Sequence, residues 1–268
     1  MLKVLKDCVR PLFYFITSQN YREYTRLFSK YNAYPRFSRT KIRFLKYEIT
    51  AVDAPSFVHQ FKEIFFEEVF NTSLKKMDPV IYDCGANIGM SCLYFRKVFP
   101  QARIKAFEAD PDIFNVLQEN ILSNVGNAKI EFVNKAIWIH NEGVEFNVEG
   151  ADGGSIEMDS FTKATKVDSI RLKELLDTEH VDFLKMDIEG AEVDVLLDCD
   201  GSLGNVDFIF FEYHSFLKQP QKLDSVLKVL TKNKFKYYIQ SSQIVYSPFI
   251  QPINHPTMDM QLNIYCYK

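Results

Sequence analysis

From Val80 onward, short apolar runs alternate with stretches of helical period, the arrangement that builds a parallel sheet with crossover helices. Val80 to Tyr82 reads as a first strand closed by Asp83, and Met90 to Val98 as the helix behind it, stopped before Pro100. Ile104 to Phe107 gives a second strand. The next helix opens at Pro111 and carries Ile113, Val116, Leu117 and Ile121 as its apolar stripe. Ile130 to Val133 is a third strand. Between Trp138 and Thr165 the pattern breaks around Gly143, Gly150, Gly153 and Gly154, and a hairpin or loop excursion is expected. Leu172 to Leu176 then reads as a short helix, Val181 to Met186 as a fourth strand, Gly190 to Leu197 as a helix, and Phe208 to Phe211 as a fifth strand. A helix over Leu223 to Leu230 precedes closing strands at Phe235 to Ile239, Ile244 to Tyr246 and Leu262 to Tyr267, which predict an antiparallel edge. Before residue 75 the rhythm differs: Ile42 to Val52 alternates like strands and Phe57 to Phe70 has helical period. The chain thus divides into an N-terminal extension, residues 1–75, packed on the sheet, and an α/β domain, residues 76–268.

Composition excludes fibrous and wholly disordered readings, because 47% of the 268 residues are hydrophobic and 24 Phe and 14 Tyr supply a ring-rich core. The net charge of -3 hides an uneven distribution. Residues 1–50 carry eleven Lys or Arg against Asp7, Glu23 and Glu48, or +8, which leaves -11 for the rest. An acidic body argues against nucleic acid as a partner. The basic segment suits an anionic membrane or a phosphate-bearing partner, or is a solvated appendage. Five scattered cysteines without ligand spacing fit a reducing compartment. No apolar run reaches the roughly 20 residues of a membrane span, and the run from Pro11 to Ile16 is short and lacks a cleavage site. A soluble, cytoplasmic protein is expected, with peripheral membrane contact through the N-terminus left open.

Asp83-Cys-Gly85-Ala-Asn87-Ile-Gly89 joins the first strand to its helix, placing two glycines where the backbone turns sharply and approaches a ligand. The spacing fits neither the dinucleotide pattern nor a phosphate loop, and a nucleoside without phosphates fits better. Asp83 can then hold a cationic amine. Glu108 ends the second strand 19 residues after Gly89, where a carboxylate accepts both ribose hydroxyls. Either feature alone is commonly only a tight turn or a helix cap. Together they point to adenosyl binding by Asp83, Gly85, Asn87, Gly89 and Glu108.

Four segments carry a family resemblance: residues 83–89, Ala106-Phe-Glu-Ala-Asp-Pro111, Leu184-Lys-Met-Asp-Ile-Glu-Gly-Ala-Glu192 and Phe211-Glu-Tyr-His214. They are similar to the successive motifs of the FkbM-type S-adenosylmethionine-dependent methyltransferases. The resemblance implies a Rossmann-like class I methyltransferase fold, with a mainly parallel seven-stranded sheet whose last strand is antiparallel. It implies S-adenosyl-L-methionine as cofactor and O-methyl transfer, often to a sugar or polyketide hydroxyl. Ala109 stands where the family has Pro, and residues 1–75 carry no motif of it.

Methyl transfer from a sulfonium needs an acceptor oxygen held in line and a path for its proton. Asp187 and Glu189, just past the fourth strand, should face the same crevice as the glycine loop, since ligands of open parallel sheets bind beyond the strand C-termini. Lys185 can orient Asp187 or lower an acceptor pKa. It can equally belong to a structural ion-pair network with Glu189 or Glu192. Glu192 fits a helix first turn, where the dipole favours it. His214, read as following the fifth strand, is a candidate general base that would titrate near its usual value of about 6.5, or else a surface-exposed or core histidine. His59, His140, His180 and His255 receive no role. Asp187, Glu189, Glu212 and His214 offer metal-type atoms, as ordinary acidic strand ends do, and no metal is assigned. Two functions remain: an O-methyltransferase with catalytic Asp187, His214 and Lys185 acting on a small hydroxylated acceptor, most plausibly a saccharide or glycolipid, and a noncatalytic partner-binding protein on the same fold.

Overall fold

The computed structural model describes residues 13–126, 129–147, 164–242, 247, 249–250 and 258–268. Helix α1 (Gln19–Tyr31) leads to the antiparallel pair β1 (Thr40–Phe44) and β2 (Tyr47–Ala51). Helix α2 (Ala54–Phe61) follows and runs into a π-helical turn, Lys62–Phe66. Next comes the strand–helix repeat that the sequence pattern predicts: β3 (Val80–Cys84), α3 (Met90–Val98), β4 (Arg103–Phe107), α4 (Pro111–Asn124) and β5 (Ile130–Val133). Asp110 starts α4 by accepting the N–H groups of Asp112 and Ile113, with Pro111 in the first turn.

The expected excursion consists of two small strand pairs. Strand β6 (Ala136–Trp138) pairs parallel with β9 (Ser169–Arg171), and between them β7 (Val144–Asn147) pairs antiparallel with β8 (Ala164–Val167). The chain continues with α5 (Leu172–Thr178), β10 (Val181–Met186), α6 (Glu192–Asp198), β11 (Val206–Phe216), α7 (Leu223–Lys232), β12 (Lys236–Ser241) and β13 (Met258–Tyr267). The sheet order is β12-β13-β11-β10-β3-β4-β5, and only β13 runs against its neighbours. The seven-stranded sheet with an antiparallel last strand is therefore present. The strand read at Ile244 to Tyr246 lies outside the described residues.

Two of the boundaries that differ from the sequence reading bear on the cleft. Strand β11 does not stop at Phe211 but runs to Phe216, because β13 pairs with it through Glu212↔Asn263 and His214↔Gln261. His214 is thus inside a strand. Helix α6 begins at Glu192, not Gly190, since Glu189 and Gly190 both have positive φ, at 56° and 105°.

One sheet face packs on α5, α6 and α7, burying Tyr82, Leu184 and Phe211. The other buries Ile81, Leu93 and Ile104 in a cluster that also contains Leu27, Phe44, Phe57 and Phe65 of the extension. Residues 13–75 therefore complete the layer over one face of the sheet. Phe65 meets Tyr94 edge-on, and Phe70 packs against Phe95 and Phe210. The edge of β2 is satisfied by side chains of α4: the Asn120 amide exchanges hydrogen bonds with the backbone of Thr50, and that of Asn124 with Glu48.

Candidate active site

A cleft crosses the C-terminal ends of β4, β3, β10 and β11. Its floor is the loop after β3. Gly85 lines the cleft with φ +81°, and a Cβ there would stand 1.8 Å from the carbonyl oxygen of Asp187. The glycine is demanded by the neighbouring strand's backbone as well as by any ligand. Gly89, at φ +94°, is kept bare by Leu117 and Ile121 of α4, which a Cβ would meet at 2.9 and 3.0 Å. Asn87 adopts the left-handed conformation that asparagine tolerates, and its side chain accepts the N–H of Ile88.

Asp83 does not line the cleft. It is fully buried beneath the loop, where Oδ2 accepts from Ser91 and Cys92 and Oδ1 lies 3.4 Å from Lys185 Nζ. The cation it holds here is that lysine. Lys185 also donates to the carbonyl of Gly85 at 2.6 Å and lies 3.6 Å from Asp187 Oδ2, so it ties the glycine loop to the end of β10. Burial alone would lower its pKa, but Asp83 and Asp187 outweigh that and raise it, keeping the ammonium charged.

Glu108 sits in the cleft wall beyond β4. Its two oxygens accept the backbone N–H groups of Asn87 and Asp110, both at 2.9 Å. Burial pushes its pKa up to about 7 against the pull of those two bonds. A carboxylate offers about four lone-pair sites, so two remain for a ligand diol. The residues present fit an adenosyl cofactor on that ground, with Glu108 to hold the ribose and the backbone at Gly85 to lie under it.

At the opposite end the groups are crowded. Asp187 Oδ1 is buried and accepts no hydrogen bond. Glu192, fully buried, accepts the N–H groups of Ile188 and Gly190 and the Nδ1–H of His214 at 3.1 Å. His214 Nε2 lies 3.5 Å from Glu189, and Glu212 accepts from Gln261. Burial works against the imidazolium, yet Glu192, Glu189 and Glu212 raise the His214 pKa well above its ordinary value. Burial likewise raises Glu189, and with Asp187 it brings Glu212 to about 8. The carboxylates around His214 thus shift it upward from the ordinary histidine value of about 6.5 that the sequence reading expected. Asp187, Glu212 and His214 each offer one ligand atom within 4.8 Å of the others. Both His214 nitrogens already face carboxylates, and we assign no metal.

The cleft thus brings together Gly85, Asn87, Glu108, Lys185, Asp187 and His214, and leaves Asp83 and Gly89 behind the loop. Sequence reasoning undervalued Glu192, although it stands in the most specific of the motifs, because an acidic first-turn residue has an ordinary explanation. It also gave no role to His59, Gln60 and Glu63 of the extension or to Gln261 and Asn263 of β13, all of which line the cleft. Only the folded chain brings those segments to the site.

A model of the FkbM methyltransferase domain matches residues 83–237, more than half of the chain. The 2-O-methyltransferase NoeI of Sinorhizobium fredii is 29% identical over 161 residues, spanning 52% of this chain and 65% of its own. The hexuronic acid methyltransferase AglP of Haloferax volcanii is 27% identical over 161 residues, spanning 58% of this chain and 65% of its own. Among solved structures, the FkbM methyltransferase of Methylobacillus flagellatus superposes with a TM-score of 0.50 at 15% identity, covering 80% of this chain and 53% of that one, a likeness of fold. With the motifs in place around one cleft and the family model spanning the segments that carry them, the chain belongs to the FkbM methyltransferase family and is an S-adenosylmethionine-dependent methyltransferase of class I fold.

Proposed function

We propose that this enzyme methylates a hydroxyl group of a small saccharide or glycolipid headgroup. The observation that carries the reading is the buried, unpartnered Oδ1 of Asp187 at the end of the cleft opposite Glu108. A buried carboxylate oxygen with no donor is costly until a ligand hydroxyl supplies one. Around it, Gln261 and Asn263 offer amide groups, and Phe70 and Phe210 offer apolar ring surface, the mixture that a sugar's hydroxyls and C–H faces satisfy. That one relative is named for 2-O-methylation and another for a hexuronic acid agrees with this class of acceptor.

S-adenosylmethionine supplies the methyl group on a sulfonium, and its transfer is an in-line displacement. In our reading Glu108 holds the ribose, which sets the direction from which the methyl group is presented. Asp187 binds the acceptor hydroxyl, aligns its oxygen and takes its proton as the O–C bond forms. Lys185 is a positioning residue: its ammonium lies beside Asp187 and anchors the Gly85 carbonyl. His214, between Glu192 at Nδ1 and Glu189 at Nε2, keeps these carboxylates in place. The four described cysteines are buried and free, which suits a reducing compartment, and we place the enzyme in the cytoplasm. No helix among the described residues is long and apolar enough to cross a membrane.

The test is to incubate the protein with cofactor and a panel of neutral sugars and uronic acids, reading S-adenosylhomocysteine and the position of the O-methyl group by mass spectrometry. Asp187→Ala should bind cofactor nearly as the parent does and lose about 10²- to 10⁴-fold in turnover. Undiminished turnover in that variant, or methylation of nitrogen acceptors only, would remove the reading.

A further inference from the structure

Residues 13–43 combine two features that rarely share a surface. Phe13, Phe15 and Ile16 are 57%, 51% and 68% exposed, and Phe28 on α1 is 45% exposed. Over the same residues seven Lys or Arg face a single acid, Glu23. Arg26, Arg36 and Arg43 are paired, with Glu23, Asp53 and Glu48. Arg22, Lys30 and Arg39 have no carboxylate within ion-pair distance among the described residues.

The apolar groups form one patch. Phe13 touches Tyr14, Tyr14 touches Tyr21, Tyr21 touches Tyr24 and Tyr24 touches Phe28, each pair with ring centroids 5.8 to 6.4 Å apart. Arg22 donates to the carbonyls of Phe15 and Ile16, which fixes a cation at the margin of the patch. The inner side of this ladder is anchored: Tyr14, Tyr21 and Tyr24 all pack on Phe66. The outer side is left to solvent.

We propose that this patch is a docking surface for an anionic lipid bilayer. Exposed Phe and Ile beside unpaired Arg and Lys suit the boundary between headgroups and acyl chains, where rings bury and cations meet phosphate. A nucleic acid would use the cations but leave four large apolar side chains in water, and the net charge of -11 beyond residue 50 would oppose it. Docking would also set the cleft close to the membrane. Phe66 ends the π-helical turn whose Glu63 and Ile64 line the cleft, so the patch and the acceptor end are opposite sides of one short segment.

The experiment is flotation of the full chain with phosphatidylcholine vesicles and with mixed phosphatidylcholine–phosphatidylglycerol vesicles, at low and high salt. Binding should require phosphatidylglycerol and fall steeply as salt rises. The triple variant Phe13→Ser/Phe15→Ser/Ile16→Ser should bind more than about tenfold more weakly, and Lys30→Ser about fivefold. Calorimetry with S-adenosylmethionine should be unchanged in both, which shows that the fold and the cofactor site are intact. If the triple variant does not fold, Ile16→Glu carries the same test from one exposed position. Equal binding to both kinds of vesicle, no binding to either, or variants that float like the parent would overturn the proposal. So would sedimentation showing that the parent self-associates through the patch and the triple variant does not.

Discussion

At the Glu108 end of the cleft, a loop and a strand end close together in sequence hold one carboxylate through backbone N–H groups. At the His214 end, side chains from the segment after β10, α6 and β11 bring Glu189, Glu192 and Glu212 around one imidazole. The first end is shaped by chain geometry: positive φ at Gly85, Asn87 and Gly89, and a carbonyl where a Cβ would stand. The second is held by charge balance. A backbone-built end is most sensitive to bulk. A charge-built end tolerates neither the loss of a partner nor a change in protonation.

The largest effect should come from bulk at the first end. Gly85→Val puts a branched side chain where the Asp187 carbonyl lies, and no rotamer avoids a clash that begins at Cβ. The variant should fail to fold or lose cofactor binding altogether, as thermal melting and calorimetry would show. Normal binding would mean that the loop does not close against β10.

Next is removal of a charge at the second end. Glu192→Ala leaves a buried imidazolium with its main partner gone and strips the acceptor from the N–H groups of Ile188 and Gly190. A loss of about 3–5 kcal/mol in urea unfolding is expected. Glu192→Gln, which can still accept from the backbone, should recover part of it. The pH dependence follows from the raised His214 pKa: its folded value exceeds its unfolded one, so its stabilisation is complete below the unfolded value of about 6.5 and fades as pH rises through the folded value. Glu192→Ala should therefore lose most at low pH. A uniform loss across pH would make Glu192 a backbone cap and nothing more.

A smaller effect is expected from Glu108→Ala, which should weaken cofactor binding about five- to hundredfold while leaving the acceptor end undisturbed. An unchanged Kd would move the ribose elsewhere. The smallest is a pH effect at the same residue. With its pKa near 7, Glu108 is partly protonated below neutrality and then offers the ribose one fewer acceptor site. Cofactor affinity should rise with pH, by at most about tenfold per unit below the pKa, and level off above it. Glu108→Gln should flatten that dependence, and a slope that survives the substitution would assign it to another group.

The strand–helix repeat was legible because hydrophobic periodicity is a local property: β5 and β10 and helix α3 lie where the pattern puts them. Glu108 was legible for the same reason, since a strand end followed by a capped helix aims one side chain at the crevice. Asp83 was not. Whether a buried carboxylate meets a ligand or a lysine depends on the adjacent strand, and Lys185 comes from β10, about a hundred residues later. The position of His214 inside β11 was also hidden, because a polar residue ends an apolar run in sequence but not in a strand paired with β13.

By itself, then, the sequence determined the class of fold, the family and the residues that shape the cofactor loop, because each rests on short-range spacing. Tertiary structure decided which carboxylates share a site, that Glu189 and Glu192 flank His214, and that His59, Gln60, Glu63 and Ile64 of the extension line the cleft. Burial and pairing set ionisation, and both are sums over neighbours brought together only by folding.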